Sequence, residues 1–148
     1  LIFNVAHAYA VYDAGVGYSQ GINFLCAVLV LHMRQEHAFW TLVQMMNRYG
    51  MREMFVSNSP SLAAELHRLE LVLEGAAPEL AAHLRAEGVD VSMHASQWLL
   101  TIFSYSFPLG FCFRVWDVVF VKGMPFVAQV SVALLRYFGD EMRGMGFE

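Results

Sequence analysis

Apolar residues recur along almost the whole chain at helical spacing, broken at intervals by glycine, proline and short polar runs. Leu1, Val5, Ala8, Tyr9 and Tyr12 fall on one helical face and predict an amphipathic helix over residues 1–12. Asp13-Ala14-Gly15-Val16-Gly17 ends it, because two glycines so close favour a turn. From about Gln20 to Met33 apolar positions cover nearly every face, which predicts a central helix enclosed on all sides. Glu36 to Tyr49 reads as a third helix, with Ala38, Phe39, Leu42, Met45 and Met46 on one face and Gly50 as its stop.

Ser57-Asn58-Ser59-Pro60 reads as a loop, with Ser59 and Pro60 suited to the cap and first position of the next helix. On that helix Leu62, Leu66, Leu69 and Leu73 form one stripe, and Glu65, Arg68, Glu70 and Glu74 lie elsewhere. A short helix from Pro78 to Ala86 is closed by Gly88. Further helices are expected over Ser92–Tyr105, Leu109–Phe120 and Pro125–Phe138. Val118 to Val121 suits a strand in isolation, but no partner strand is in sight. The pattern predicts an all-α, multi-helix chain without repeats or linkers.

Composition narrows the function. The 148 residues make one domain by length; 57% are hydrophobic and 15% charged, which excludes disorder. Nine basic against thirteen acidic residues, with Lys122 the sole lysine, give no surface able to neutralise a run of phosphates, so nucleic-acid binding is not expected. Cys26 and Cys112 both sit in apolar runs, which points to buried thiols in a reducing compartment. The apolar excess raises a membrane span, but the richest window, Trp98–Val121, contains Pro108, Gly110, Arg114 and Asp117. Each such charge costs about 2.5 to 3.5 kcal/mol at mid-bilayer. The second window, Ile22–Met33, is too short. No transmembrane segment is expected. The chain opens on Leu-Ile-Phe-Asn-Val without an initiator Met, a helix cap or a basic run, and reads as entered in the middle of a buried helix.

Few segments carry chemistry. Gly15-x-Gly17-x-x-x-Gly21 misses the dinucleotide fingerprint by one place and follows a helix rather than a strand. His32 and His37, five apart, lack the spacing that sets two imidazoles on one helix face, and the other histidines are scattered, so no metal is expected. Arg114 and Asp117, three apart, are expected to pair on one helix face. There remains Gly17-Tyr18-Ser19-Gln20-Gly21-Ile22-Asn23, a polar segment between two apolar helices. Its glycines allow close backbone approach by a partner and let the Gln20 carboxamide project from a helix start. An alternative reading is a plain connecting loop in which Gln20 caps the helix.

Tyr18-Ser19-Gln20-Gly21-Ile22-Asn23 resembles the Y-x-Q-G motif of the TBC domain, the all-helical catalytic domain of Rab GTPase-activating proteins. Glu36 and Phe39, Pro78-x-Leu80, His83-Leu84, Trp98, Phe103, Pro108, Arg114-x-Trp116-Asp117 and Gly123 follow in the family's order, so the resemblance spans almost the whole chain. It implies GTP hydrolysis on a Rab-type small GTPase by two residues supplied in trans. An arginine offsets charge on the transferred phosphoryl group, and a glutamine orients the attacking water. On this mapping Gln20 is the catalytic glutamine finger. Tyr18, Gly21 and Asn23 support its loop or the partner contact, and Arg114, Trp116 and Asp117 are scaffold. No cofactor of its own is implied, since GTP and Mg belong to the partner. The implied location is the cytoplasm, or the periphery of endomembranes through that partner.

One departure stands out. The family's arginine belongs to an I-x-x-D-x-x-R motif upstream of Y-x-Q-G, whereas the first arginine here, Arg34, lies downstream of Gln20. Residues 1–148 therefore read as one partial TBC domain lacking its N-terminal helices, and inactive alone. An arginine finger is worth on the order of 10³ to 10⁵ in rate, or about 4 to 7 kcal/mol of barrier. A non-catalytic module of the same scaffold, binding a GTPase or another partner, remains the alternative.

Overall fold

The structure, a computed structural model, describes residues 1–57 and 59–146. Among these, ten helices and no strand are found, in the order α1 (Ile2–Tyr12), α2 (Ile22–His32), α3 (Gln35–Arg48), α4 (Met51–Phe55), α5 (Ser61–Ala76), α6 (Pro78–Ala86), α7 (Val91–Thr101), α8 (Leu109–Lys122), α9 (Pro125–Tyr137) and α10 (Gly139–Met142). The all-α expectation holds. None of the described helices is long and apolar enough to cross a membrane; α5, the longest, has 16 residues.

The main core lies where α1, α2 and α3 meet α4, α7 and α8. Ile22, Leu25, Cys26 and Leu29 of α2 are at most 1% exposed, as the all-round apolar pattern requires, but the helix emerges at its C-terminus, where Leu31 and His32 reach solvent. Burial pushes the Cys26 thiol up to about 11, and raises Cys112 as well, so both behave as small apolar groups. Two smaller clusters, around Leu73, Leu80 and Leu84 and around Leu69, Ala95 and Val132, continue the core through α5, α6, α7 and α9. Trp98 on α7 packs against all three clusters.

Several local expectations are corrected. The buried stripe of α1 is Val5, Ala6 and Tyr9, while Leu1, Ala8 and Tyr12 are exposed, because α1 packs on α2 and α3 along a single narrow side. α5 begins at Ser61 rather than Pro60; the Ser59 hydroxyl still accepts the Ser61 N–H at 3.2 Å. Asn58 lies outside the described residues. The helix expected over Ser92–Tyr105 stops at Thr101, where Ile102 and Phe103 take left-handed φ values of 47° and 66°. That turn drives both side chains fully into the core, and the Trp116 indole N–H donates to the Ile102 carbonyl at 3.1 Å. The short helices α4 and α10 were not expected.

Arg114 and Asp117 do not form an ion pair among the described residues. Exposure alone does not forbid such a pair, since the surface residues Glu65 and Arg68 of α5 bond at 2.8 Å. There the acid comes first, whereas in α8 the base does, the less favourable order on a helix. α8 buries Cys112, Val115, Trp116 and Val119, and both charges stand on solvent-facing positions where water solvates each of them separately.

Candidate functional site

The polar segment singled out in the sequence is the connection between α1 and α2. It begins where Asp13 caps α1, its N–H donating to the Tyr9 carbonyl at 2.9 Å. The Asp13 carbonyl then accepts the N–H groups of Val16 (3.1 Å) and Gly17 (2.8 Å), which folds the chain into a tight turn. Gly17 completes it at φ 63°, a conformation that costs glycine nothing.

The Asp13 side chain ties this turn to α4. Arg52 donates from Nε to Asp13 Oδ2 at 2.7 Å and from Nη2 to Oδ1 at 2.9 Å, a two-pronged carboxylate–guanidinium pair. The buried Tyr9 hydroxyl adds a third bond to Oδ2 at 3.2 Å. The hydrogen bond from Arg52 holds the Asp13 carboxyl below the usual carboxylate range, while burial and the adjacent carboxylate push the Tyr9 phenol upward. Gly15 fits against this pair because it has no side chain: a Cβ there would lie 2.9 Å from Arg52 Nη2.

The far end of the loop is anchored by packing. Gly21 is buried and caps α2 at φ 112°, a value side-chain-bearing residues rarely adopt. A Cβ on it would meet Phe55 Cε1 of α4 at 3.4 Å, then Thr101 and Leu100 of α7 at 3.7 and 3.8 Å. Between the two anchors Gln20 is exposed and Tyr18 is 62% exposed. No side chain caps α2, so the reading of Gln20 as a helix cap fails. Asn23, in the first turn of α2, is half-buried, and its Oδ1 is enclosed without a hydrogen-bond partner. Arg114 and Asp117 are on α8, and Trp116 is buried there in a structural bond to Ile102.

An exposed carboxamide offers hydrogen bonding but no acid–base chemistry. It is neutral, so it neither gives nor takes a proton; it accepts one hydrogen bond while donating another, and can thereby orient a water. The one carboxylate of the loop, Asp13, is engaged by Arg52 and Tyr9. Arg52 and Phe55 escaped the reading of the sequence. They stand 39 and 34 positions from the loop ends they hold, and no local spacing signals such a pairing.

The family model described as "RabGAP TBC domain" matches residues 1–142. The chain belongs to the RabGAP TBC domain family. It is similar to GTPase-activating protein GYP5 of Eremothecium gossypii, 42% identical over 135 residues, which is 90% of this chain and 16% of that protein. It is also similar to Rab GTPase-activating protein tbc-11 of Caenorhabditis elegans, 37% identical over 99% of this chain and 16% of that protein. The chain thus spans about a sixth of the length of these relatives. Among solved structures, the Chlamydomonas flagellar RabGAP TBC domain superposes with TM-score 0.84 at 28% identity over 98% of this chain and 48% of that one. The Ypt/Rab-GAP domain of Gyp1p shares the fold, with TM-score 0.85 at 18% identity over 99% of this chain and 55% of that one.

Proposed function

We infer that this chain supplies the glutamine of a Rab GTPase activator. Gln20 orients the water that attacks the γ-phosphoryl group of GTP bound to a Rab-type partner. The observation that supports this most is the placement of Gln20, exposed between Gly17 and Gly21 on a loop fixed at both ends, in a chain of the RabGAP TBC family. A residue that steers water on another protein's nucleotide must be solvent-facing and unspent on its own fold, and Gln20 meets both conditions.

The arginine of the pair comes from TBC sequence outside residues 1–148. Arg52, which reaches the same loop, is spent on Asp13 and on Glu53 (3.0 Å). The solved TBC chains are about twice the length of this one, leaving room for the missing residue. GTP and Mg are bound by the partner, and this chain contributes side chains only.

The test is single-turnover GTP hydrolysis by a panel of GTP-loaded Rabs, with residues 1–148 and with the complete protein. The complete protein accelerates at least one Rab; residues 1–148 fall short of it on the order of 10³-fold or more. Equal stimulation by both would overturn the assignment of the arginine. No acceleration of any Rab by the complete protein would favour the non-catalytic binding module instead.

A further inference from the structure

We propose that Arg52 is a positioning residue for the glutamine site: its two-pronged bond to Asp13, with Phe55 packed under Gly21, makes one face of α4 the seat that holds Gln20 in its working geometry. This rests on Gln20 being the residue that acts on the partner's nucleotide.

The loop from Asp13 to Gly21 contains Gly15, Gly17 and Gly21, and a chain so rich in glycine has many conformations to lose before it can present one side chain in one place. The structure shows what restrains it. Arg52 grips the first residue of the loop and Phe55 lies against the last. These two α4 residues are three apart, hence on the same side of the helix. α4 is itself held, with Met51, Met54 and Phe55 all buried. Both ends of the loop are therefore referred to one packed element, and Gln20 stands next to one of the anchors.

The form of the bond matters as much as its presence. A guanidinium fork meeting a carboxylate through two parallel N–H···O bonds fixes orientation as well as distance, which an ammonium cannot do. Gly15 leaves space for the fork, since a Cβ there would sit 2.9 Å from Nη2. The Tyr9 hydroxyl holds the same carboxylate from the α1 side. Misplacing a reacting group by about 1 Å costs on the order of 10²-fold in rate. Loosening the seat therefore lowers turnover while leaving most of the partner-binding surface intact.

The experiment uses the complete protein on the Rab it accelerates most, with variants Arg52→Ala, Arg52→Lys, Gln20→Ala and Arg52→Ala/Gln20→Ala. Amide hydrogen exchange of residues 14–21 is followed in the same samples. Arg52→Ala raises exchange in residues 14–21 while α2 and α3 keep their protection, and kcat falls roughly ten- to a hundredfold with KM little changed. Arg52→Lys, which keeps the charge and loses the fork, resembles Arg52→Ala more than wild type. Adding Arg52→Ala to Gln20→Ala lowers kcat no further, because a seat has no effect once its occupant is gone. A purely structural arginine would instead give additive losses. Unchanged exchange in residues 14–21 of Arg52→Ala overturns the proposal, as does raised exchange with undiminished kcat. Full activity of Gln20→Ala overturns the reading of Gln20 itself, a failure distinct from either of these.

Discussion

Gly21 is where a single methyl group tests the site. Its φ of 112° is strained for any residue with a Cβ, although the nearest atom, Phe55 Cε1 at 3.4 Å, would be in ordinary contact. Gly21→Ala is therefore expected to cost about 1 to 3 kcal/mol through backbone strain, read as a lower denaturation midpoint, with Gln20 displaced if the loop shifts to relieve it. An unchanged midpoint would show that the loop does not hold this conformation. His94 is a second residue-scale test. Its ring lies 5.2 Å from Trp98, its Nε2 is enclosed without a partner, and burial holds its pKa below the ordinary 6.5 against the opposing pull of Asp90. A histidine kept neutral by the fold contributes stability that is complete above its unfolded value and is lost as pH falls below about 6.5. Wild type should lose stability as pH falls through and below about 6.5, and His94→Phe should flatten that slope. Asp13, a carboxylate lowered by Arg52, acts in a separate window. Its contribution is present above the ordinary carboxylate value of 3.8 and disappears only in stronger acid. Parallel slopes for wild type and His94→Phe would contradict the assignment to His94.

Among the elements, the junction of α7 and α8 decides how the second half of the chain closes. Apolar spacing and the absence of glycine or asparagine favour continuing the helix to Tyr105, yet the chain turns left-handed at Ile102 and Phe103. Conformations of this kind cost about 1 to 3 kcal/mol each and persist when surrounding contacts over-determine them. Here those contacts are the full burial of both side chains and the indole bond from Trp116 to the Ile102 carbonyl. Trp116→Phe keeps most of the ring volume and strands that buried carbonyl, so it should destabilise the protein by about 1 to 3 kcal/mol in denaturant titration. A loss within a few tenths of a kcal/mol would mean that packing alone holds the turn. The same junction shows why sequence reading stopped short. Helices with sustained periodicity, such as α3 and α5, are legible because their stripes are long. The five residues of α4 and four of α10 are too few to display a period, and the left-handed turn goes with side-chain burial and a bond from a tryptophan 14 positions away. The Arg114–Asp117 expectation failed for a different reason: spacing places two charges near each other, but the base-first order is the weaker one, and a surface pair that does form, Glu65–Arg68, has the acid first.

For the molecule as a whole, the all-α class was readable from apolar periodicity and the loop bearing Gln20 from glycine placement and motif order, whereas the means by which that loop is held was not. The seat joins residues from α1, the loop and α4, across 39 positions, through one carboxylate whose role is invisible until the fold brings Arg52 to it. If Gln20 steers the attacking water, it should bind the transition state of the partner's reaction better than its ground state. Affinity separates the two states directly. The complete protein, wild type and Gln20→Ala, is titrated with the Rab it accelerates most, loaded either with a non-hydrolysable GTP analogue or with GDP and aluminium fluoride. Gln20→Ala is expected to weaken binding of the aluminium fluoride form by roughly 10²-fold and to leave binding of the GTP-analogue form nearly unchanged. Equal affinities of wild type and variant for the aluminium fluoride form, or equal losses for both forms, would contradict it.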